Sequence, residues 1–476
     1  MVAPTNRRYY GFDWEDWGRK DALEVLRLAT NKFKPDPKQI YLTGHSMGGH
    51  GTWNLGITYP DLFAAIAPSA GWISFRSYGG SDSWTNGDSV QQILQRAGNP
   101  CDTLALITNC LHFGVYVLHG DQDDNVPVTE ARTMRNHLAL FQSDFMYHEQ
   151  PGAGHWWGNQ CVDWPPIFDL FARHKIPSDQ EVCDLNFSTM NPGISSSSHW
   201  ISILQQRHAL EKSVVAAKFD PAQSTFNITT ENVAMLSLRP SQIAPVGPVH
   251  VTLDGQTLGT INGPQTFFAR QGESWSVSEA PSEKMKGPNR YGPFKEAFGC
   301  RMIFVYATHG TPEENAWAVA KSRLDAEAWW YRGNGAVDVV PDAEFDVAKE
   351  PNRGVVLYGN AANNSAWSAL LGDSPVQVQR GNVTVGTHSY ASTELACLFC
   401  RPRPGSDHAC VAVVSGTGIV GLRLTDRIPY LTAGVAYPDC TVFGLDTLSK
   451  GTAGVRAAGF FGNDWGVDSG DFAWRE

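Results

Sequence analysis

The chain has 476 residues, 42% of them hydrophobic and 18% charged, and a formal net charge of −11. That length and balance suit two or three globular cores rather than a disordered chain. The negative charge and the absence of basic runs exclude nucleic acid as a partner, and no stretch of about 18 apolar residues is present to span a membrane.

In chain order, the start Met1-Val2-Ala3-Pro4 lacks the charged-then-apolar pattern of a signal peptide, so the chain reads as cytoplasmic as it stands. Secretion stays open if an upstream part was lost. A helix is predicted around Asp21–Lys32, then a strand over Gln39-Ile40-Tyr41-Leu42-Thr43. Directly after it stands Gly44-His45-Ser46-Met47-Gly48, a G-x-S-x-G that opens a helix-like stretch, the strand–turn–helix setting of a nucleophile elbow. Both glycines are expected to be obligatory, because side chains there would collide with neighbouring backbone. A chain with 46 glycines yields roughly 0.3 such matches by chance, so the partners of Ser46 have to decide.

A serine nucleophile needs a base to take its proton and a carboxylate to orient that base. The apolar run Phe113–Leu118 ends in His119-Gly120-Asp121-Gln122-Asp123-Asp124-Asn125-Val126-Pro127, an acid-rich turn at the carboxyl end of a strand. A further strand, Asp144–His148, leads into Pro151-Gly152-Ala153-Gly154-His155-Trp156-Trp157-Gly158. The order Ser, Asp, His is that of α/β-hydrolases. With Gly44-His45-Ser46-Met47-Gly48-Gly49, His119-Gly120-x-x-Asp123-x-x-Val126-Pro127 and Gly152-Ala153-Gly154-His155, the chain resembles the catalytic domain of the prolyl oligopeptidase (S9) family over about residues 5–175. The resemblance implies Ser46 as nucleophile, Asp123 as orienting acid and His155 as base. Asp121 and Asp124 compete with Asp123 as turn aspartates that cap backbone amides, and His119 and His148 compete with His155 as strand-borne histidines. His45, Trp156 and Trp157 flank the motifs and are the expected substrate contacts, although the two tryptophans equally suit covering the sheet edge.

One oxyanion donor is expected from the Met47 N–H; the second, from a loop after an early strand, has no counterpart. The opening Met1–Gly11 resembles the interior of the family domain rather than its beginning, so the sheet is expected to be an incomplete parallel one. Its bare edge beside the elbow strand is expected to be covered by a second copy of the chain, or else by the first twenty residues or the C-terminal domain.

Residues 70–112, with Gly79-Gly80-Ser81 and an amphipathic Ser89–Ala97, read as an insertion shaping substrate access. Trp164–Arg173 reads as the closing helix and Ser195-Ser196-Ser197-Ser198 as a linker. Short alternating runs at Ser213–Phe219, Thr225–Thr230, Met235–Arg239, Val249–Leu253 and Ser274–Val277 predict a small β-sandwich. Beyond it, Arg301–Thr308, a helix opening at Thr311-Pro312-Glu313-Glu314, and runs at Val337–Val340, Gly354–Tyr358 and Val411–Val414 predict a parallel sheet with covering helices. The fold class is thus α/β: an α/β-hydrolase core over 1–180, a β-sandwich over 195–285 and a C-terminal α/β domain over 286–476. The Gly416-Thr417-Gly418 turn lacks the context of a phosphate cradle, so no cofactor is expected.

Nine cysteines, at 101, 110, 161, 183, 300, 397, 400, 410 and 440, form no paired framework, and an odd count leaves at least one thiol unpaired. Cys397-Leu398-Phe399-Cys400 with Cys410 lies in an apolar strand-like run without a second CxxC, so the cysteines read as structural and no metal is expected. A bridge between Cys101 and Cys110 is conceivable from sequence. The functional expectation is a serine hydrolase that cleaves carboxylic esters through an acyl-enzyme. Esters are favoured because no propeller repeat precedes the domain and an incomplete oxyanion hole suits activated esters better than amides. The substrate is then a small ester or a short peptide. The alternatives are a serine peptidase of prolyl oligopeptidase type and a non-catalytic binding or assembly module with a disabled triad.

Overall fold

The computed structural model describes residues 1–8, 11–79, 87–244 and 247–475. Tyr9, Tyr10 and the Gly80-Ser81 part of the expected insertion lie outside the described residues. The chain divides into two compact units, residues 1–83 with 100–280 and residues 84–99 with 281–476.

The first unit opens with α1 (Asp16–Phe33) and then β1 (Tyr41–His45), α2 (Met47–Thr58), β2 (Ala65–Ser69) and a single helical turn α3 (Phe75–Tyr78). Helix α4 (Ser89–Arg96) belongs to the second unit. The first unit resumes with β3 (Gly114–Gly120), α5 (Val128–Leu138), β4 (Phe145–Gln150) and α6 (Pro165–Arg173). The four strands form a parallel sheet in the order β1-β2-β3-β4. Period-two alternation sends Val115 and Val117 of β3 to one face, against Trp53, Ile57, Met134 and Leu138. Tyr116 and Leu118 go to the other, against Ile167, Leu170 and Phe171 of α6. Both faces are therefore covered, as a parallel sheet requires, and β1 is an outer strand with Tyr41–Gly44 half-exposed.

The β-sandwich follows in the same unit. One sheet has the order β14-β13-β10-β7-β6 and the other β12-β11-β9-β8-β5. The strands are β5 (Asp184–Thr189), β6 (Ser197–Ser198), β7 (Ile201–Gln206), β8 (Ser213–Asp220), β9 (Thr225–Glu231), β10 (Val233–Leu238), β11 (Val249–Leu253), β12 (Gln256–Ile261), β13 (Thr266–Gln271) and β14 (Ser274–Ser278), with a short α7 (Pro240–Ile243) after β10. Phe187, Trp200, Ile203, Phe226, Leu236 and Phe268 fill the space between them. The expected serine linker is instead structured: Ser197 and Ser198 pair with Ser202 and Ile201, and Ser195 and Ser198 are buried. Asn109 fastens the sandwich to the hydrolase core, donating to the Ser188 carbonyl at 2.8 Å and accepting the Ser188 N–H at 2.8 Å.

The second unit is built on an eight-stranded sheet, β16-β15-β17-β22-β21-β23-β24-β25. Its strands β15 (Met302–Tyr306), β16 (Asp338–Pro341), β17 (Gly354–Tyr358) and β22 (Cys410–Gly416) are parallel. The strands β21 (Ala396–Pro402), β23 (Cys440–Phe443), β24 (Val455–Phe460) and β25 (Asp471–Trp474) add an antiparallel half that the expected parallel sheet lacked. A hairpin sheet of β18 (Val376–Gln379), β19 (Asn382–Val385) and β20 (His388–Ala391) packs its valines into the same core. Helix α8 (Pro312–Gly333) starts as the Thr311-Pro312-Glu313-Glu314 pattern predicts, with a capping box between Thr311 and Glu314.

Helix α4, expected to shape substrate access, is instead an integral part of the second unit. Arg475 grips Asp88 at 2.6 Å, Arg96 reaches Asp471 at 2.7 Å, and the Arg96 guanidinium lies 4.6 Å from the Phe460 ring centroid.

Candidate active site

Ser46 sits between the end of β1 and the first residue of α2 with φ 58° and ψ −118°. This is a strained conformation for a residue with a side chain. A serine at a helix N-cap normally accepts a first-turn N–H, yet Ser46 makes no such cap bond. Its Oγ instead lies 2.8 Å from His155 Nε2. The Ser46 N–H is held by the Ser69 carbonyl of β2 at 2.9 Å, which fixes the turn to the neighbouring strand.

Only one glycine of the motif is sterically required in the way expected. A Cβ on Gly44 would come within 2.4 Å of the Gly48 carbonyl oxygen, whereas a Cβ on Gly48 would meet nothing within 4 Å. The second tight approach belongs to Gly49, whose Cβ would stand 2.2 Å from the Ser69 carbonyl oxygen.

Behind His155, Nδ1 stands 2.8 Å from Asp123 Oδ2 and 3.0 Å from Oδ1. The backbone N–H groups of Asn125 and Val126 donate to Asp123 Oδ1 at 2.9 and 2.8 Å. Burial works against the Asp123 carboxylate, but these hydrogen bonds outweigh it and hold the carboxyl below its ordinary range. The Asp123 side chain has no exposed surface and that of His155 only 5%.

None of the competing groups takes the place of Asp123 or His155, although His119 Nε2 stands 3.3 Å from Asp123 Oδ2. Asp121 Oδ1 accepts the Gly152 N–H at 2.7 Å and so ties the acid turn to the histidine loop, while Asp124 is exposed. His119 is buried with Nε2 2.9 Å from the Val126 carbonyl, and His148 bonds Gln150 and stacks on Trp164 at 4.7 Å.

Of the expected substrate contacts, His45 and Trp156 stand at the site. The His45 ring lies 4.9 Å from the His155 ring and 4.2 Å from that of Trp156. Its Nδ1 is 3.0 Å from Ser69 Oγ, and burial together with the neighbouring His155 pushes its pKa down to about 4. Trp156 is 70% exposed beside the base. Trp157 packs against the cluster of Tyr116, Ile167 and Phe171, with Trp164 edge-on at 6.0 Å. Met47 is the first residue of α2, so its N–H is one of those that intrahelical bonding leaves free.

Several supporting residues carry no signal that sequence reasoning recognises. His50, one helical turn after Ser46, is fully buried with Nε2 3.0 Å from Glu15 Oε1 and Nδ1 3.0 Å from the Trp72 carbonyl. The Cys101 thiol donates to Glu15 Oε2 at 2.5 Å, which replaces the bridge to Cys110 conceived from sequence. Asn6 is buried and accepts the N–H groups of Phe12 and Trp14, each at 3.2 Å, so that the first residues fold against the elbow helix. Tyr78 donates to Asn125 at 3.2 Å, and Glu130 accepts from the Ile73 N–H and Ser77 Oγ at 2.8 Å. Among the described residues no group of three or more His, Cys, Asp or Glu is arranged to hold a metal ion. No helix among them is long and apolar enough to cross a membrane.

A strained serine at a strand-to-helix turn of a parallel sheet, with histidine and aspartate supplied by the ends of later strands, defines the α/β-hydrolase class. Residues 6–165 match the family model of the prolyl oligopeptidase family. An uncharacterized secreted protein of Arthroderma benhamiae is 26% identical over 495 aligned residues, which cover 97% of this chain and 51% of that protein. The chain thus spans about half the length of the curated relative it matches. Among solved structures, a thermostable esterase is 22% identical over 33% of this chain and 36% of its own, with a TM-score of 0.24. The Pyrococcus horikoshii acylaminoacyl peptidase is 19% identical over 35% of this chain and 28% of its own, with a TM-score of 0.27.

Proposed function

We propose that the chain hydrolyses carboxylic esters through an acyl-enzyme on Ser46. The observation that carries this reading is the 2.8 Å approach of Ser46 Oγ to His155 Nε2, with Asp123 at 2.8 Å behind the ring. In this reading His155 takes the hydroxyl proton as Oγ attacks the ester carbonyl, and Asp123 holds the imidazole in the productive tautomer. The Met47 N–H, at the positive end of α2, receives the negative charge on the carbonyl oxygen. Collapse breaks the ester C–O bond and His155 returns the proton to the departing alcohol. Water then gives a proton to His155 as its oxygen adds to the acyl carbon; the Ser46 Oγ–acyl bond breaks, His155 returns the proton to Oγ, and the acid leaves. His45 and Trp156 flank the acyl group.

Ester cleavage is favoured over amide cleavage because a site with one defined oxyanion donor serves a good alcohol leaving group better than an amine. Removing a donor of this kind commonly costs on the order of 10²–10³ in rate. The likeness of residues 6–165 to the prolyl oligopeptidase family supports a second reading, a serine peptidase. The test is hydrolysis of short p-nitrophenyl esters and of peptide anilides by wild type and Ser46→Ala, with fluorophosphonate labelling of both. Ester turnover and labelling that vanish together in the variant support the proposal. Equal efficiency on anilides replaces it with the peptidase, and wild type that neither labels nor turns over leaves a binding module.

Two further proposals accompany this one. A second copy of the chain covers the open edge of β1, a strand whose unpaired backbone groups invite pairing; a monomer in sedimentation velocity would overturn it. By likeness to the secreted Arthroderma protein the chain acts outside the cell, which is checked by its recovery from the culture fluid of the native host.

A further inference from the structure

The central strand of the second unit, β21, carries Cys397 and Cys400, and each has a cysteine diagonally across the sheet. In the pairing with β22, Cys400 stands opposite Ala412 and Cys410 opposite Pro402. In the pairing with β23, Cys397 stands opposite Val442 and Cys440 opposite Phe399. Both pairs use the same diagonal: the partner is displaced two residues toward the N-terminus of the opposing strand. Diagonal neighbours of an antiparallel pair lie about 7–8 Å apart at Cα and closer at Cβ, and the twist of the sheet draws one diagonal in. Here the thiols have met, for Cys410 is in hydrogen-bond contact with Cys400 and Cys440 with Cys397. An odd separation along β21 puts the two pairs on opposite faces of the sheet.

We propose that these four residues close two cross-strand disulfides, Cys400–Cys410 and Cys397–Cys440, when the chain folds in contact with a disulfide oxidant. For each bond one cysteine thiolate attacks the oxidant's disulfide and forms a mixed disulfide. The second cysteine, as thiolate, then displaces the oxidant from it. The two thiol protons and two electrons end on the oxidant, which leaves as its dithiol. The reaction belongs to folding, before the sheet closes, because the four residues are at most 1% exposed in the folded unit, burial holds the Cys410 thiol protonated, and the hydrogen bond with Cys397 together with burial does the same for Cys440.

Four of the five remaining cysteines have other surroundings. Cys101 donates to Glu15, Cys161 to the Gly158 carbonyl and Cys183 to the Gln180 carbonyl, and Cys110 is packed among Leu106, Met134 and Leu138. The two bonds fasten β22 of the parallel half to β21, and β21 to β23 of the antiparallel half. They stitch the sheet at the boundary where its strand direction changes.

The test uses the full chain secreted from a eukaryotic host and shown to melt cooperatively. It is denatured in guanidinium with iodoacetamide and no reductant, then weighed intact and digested after aromatic residues. Five of the nine cysteines should take the label, since nine less the four bridged leaves five. Cleavage after Phe399 should leave Cys400–Cys410 as a bond within one peptide, lighter by two hydrogens, and Cys397 joined to the Cys440 peptide. Reduction before heating should lower the melting temperature by roughly 10 °C or more. Nine labelled cysteines, or bridges between any other partners, overturn the proposal.

Discussion

Replacing Asp123 by asparagine isolates the part of the site that the sequence left open among three aspartates. Oδ1 of Asp123 accepts two backbone N–H groups, from Asn125 at 2.9 Å and Val126 at 2.8 Å, so an asparagine must keep its carbonyl oxygen there. Its NH₂ then occupies the Oδ2 position, 2.8 Å from His155 Nδ1. Two donors cannot face each other, so His155 moves its proton to Nε2 and can no longer accept the Ser46 proton. The tautomer error costs about 10³–10⁴ in kcat, or roughly 4–5 kcal/mol of transition-state stabilisation. Binding of substrate, which does not involve Asp123, should keep KM within a few-fold. The assay is p-nitrophenyl ester turnover at pH 7.5 by wild type, Asp123→Asn, Asp124→Asn and Asp121→Asn. The exposed Asp124 should be silent, and Asp121→Asn should retain activity within a few-fold because the amide oxygen still accepts the Gly152 N–H. An Asp123→Asn enzyme within tenfold of wild type would refute the reasoning, all the more if Asp124→Asn were inactive. Stability offers a second reading. The Asp123 carboxyl is held below its ordinary 3.8 in the folded chain, so its contribution is full above 3.8 and is lost as pH falls from there through the lower folded-state pKa. The asparagine variant should lack that acid-sensitive part.

Three further outcomes are expected. Gly44→Ala should destabilise the chain by about 2 kcal/mol or more, since its Cβ would meet the Gly48 carbonyl, whereas Gly48→Ala should be neutral or gain up to about 1 kcal/mol of helix propensity; guanidinium melts of the pair decide. His45 stays neutral in the fold down to pH about 4 while the unfolded chain protonates it near 6.5, so stability falls with acid across that window by up to about 1.4 kcal/mol per pH unit. His45→Phe should flatten the melting profile there, and an unchanged slope would dismiss the argument. Glu15→Ala strands the buried His50 Nε2 and the Cys101 thiol and should cost about 3 kcal/mol or more by chemical denaturation, while Glu15→Gln should recover part of it.

What the sequence made legible follows physical periodicity and turn chemistry. The elbow, the acid turn and the histidine loop were visible because each combines glycines with a chemical group at the end of an apolar run. Val249–Leu253 and Gly354–Tyr358 were read with their observed limits, since both are compact apolar strands bounded by turn residues. The strands Asp184–Thr189 and Ile201–Gln206 are not predicted from sequence: polar residues break up their apolar runs, in the second strand although Ser202, Gln205 and Gln206 are themselves buried, and the serines read as linker in fact enter a hairpin. The antiparallel half of the second sheet was equally hidden, because direction is set by which strand lies beside β21 and a run of apolar residues carries no record of it.

The supporting contacts were invisible for a different reason. Glu15 and His50 are 35 positions apart, Tyr78 and Asn125 47, and Ile73 and Glu130 57. No spacing rule connects such pairs, and each alone resembles an ordinary polar surface residue. Yet they bind the segment after β2 to the acid turn and brace the elbow helix from behind, so the strained φ of Ser46 is held by residues that never approach the reacting atoms. A variant such as Tyr78→Phe breaks one of these ties and leaves Ser46, His155 and Asp123 chemically intact. It should lower kcat by several-fold while fluorophosphonate labelling still goes to completion. Loss of labelling would mean that the tie builds the nucleophile itself, and unchanged kcat would mean that the acid turn holds its shape without help from the segment after β2.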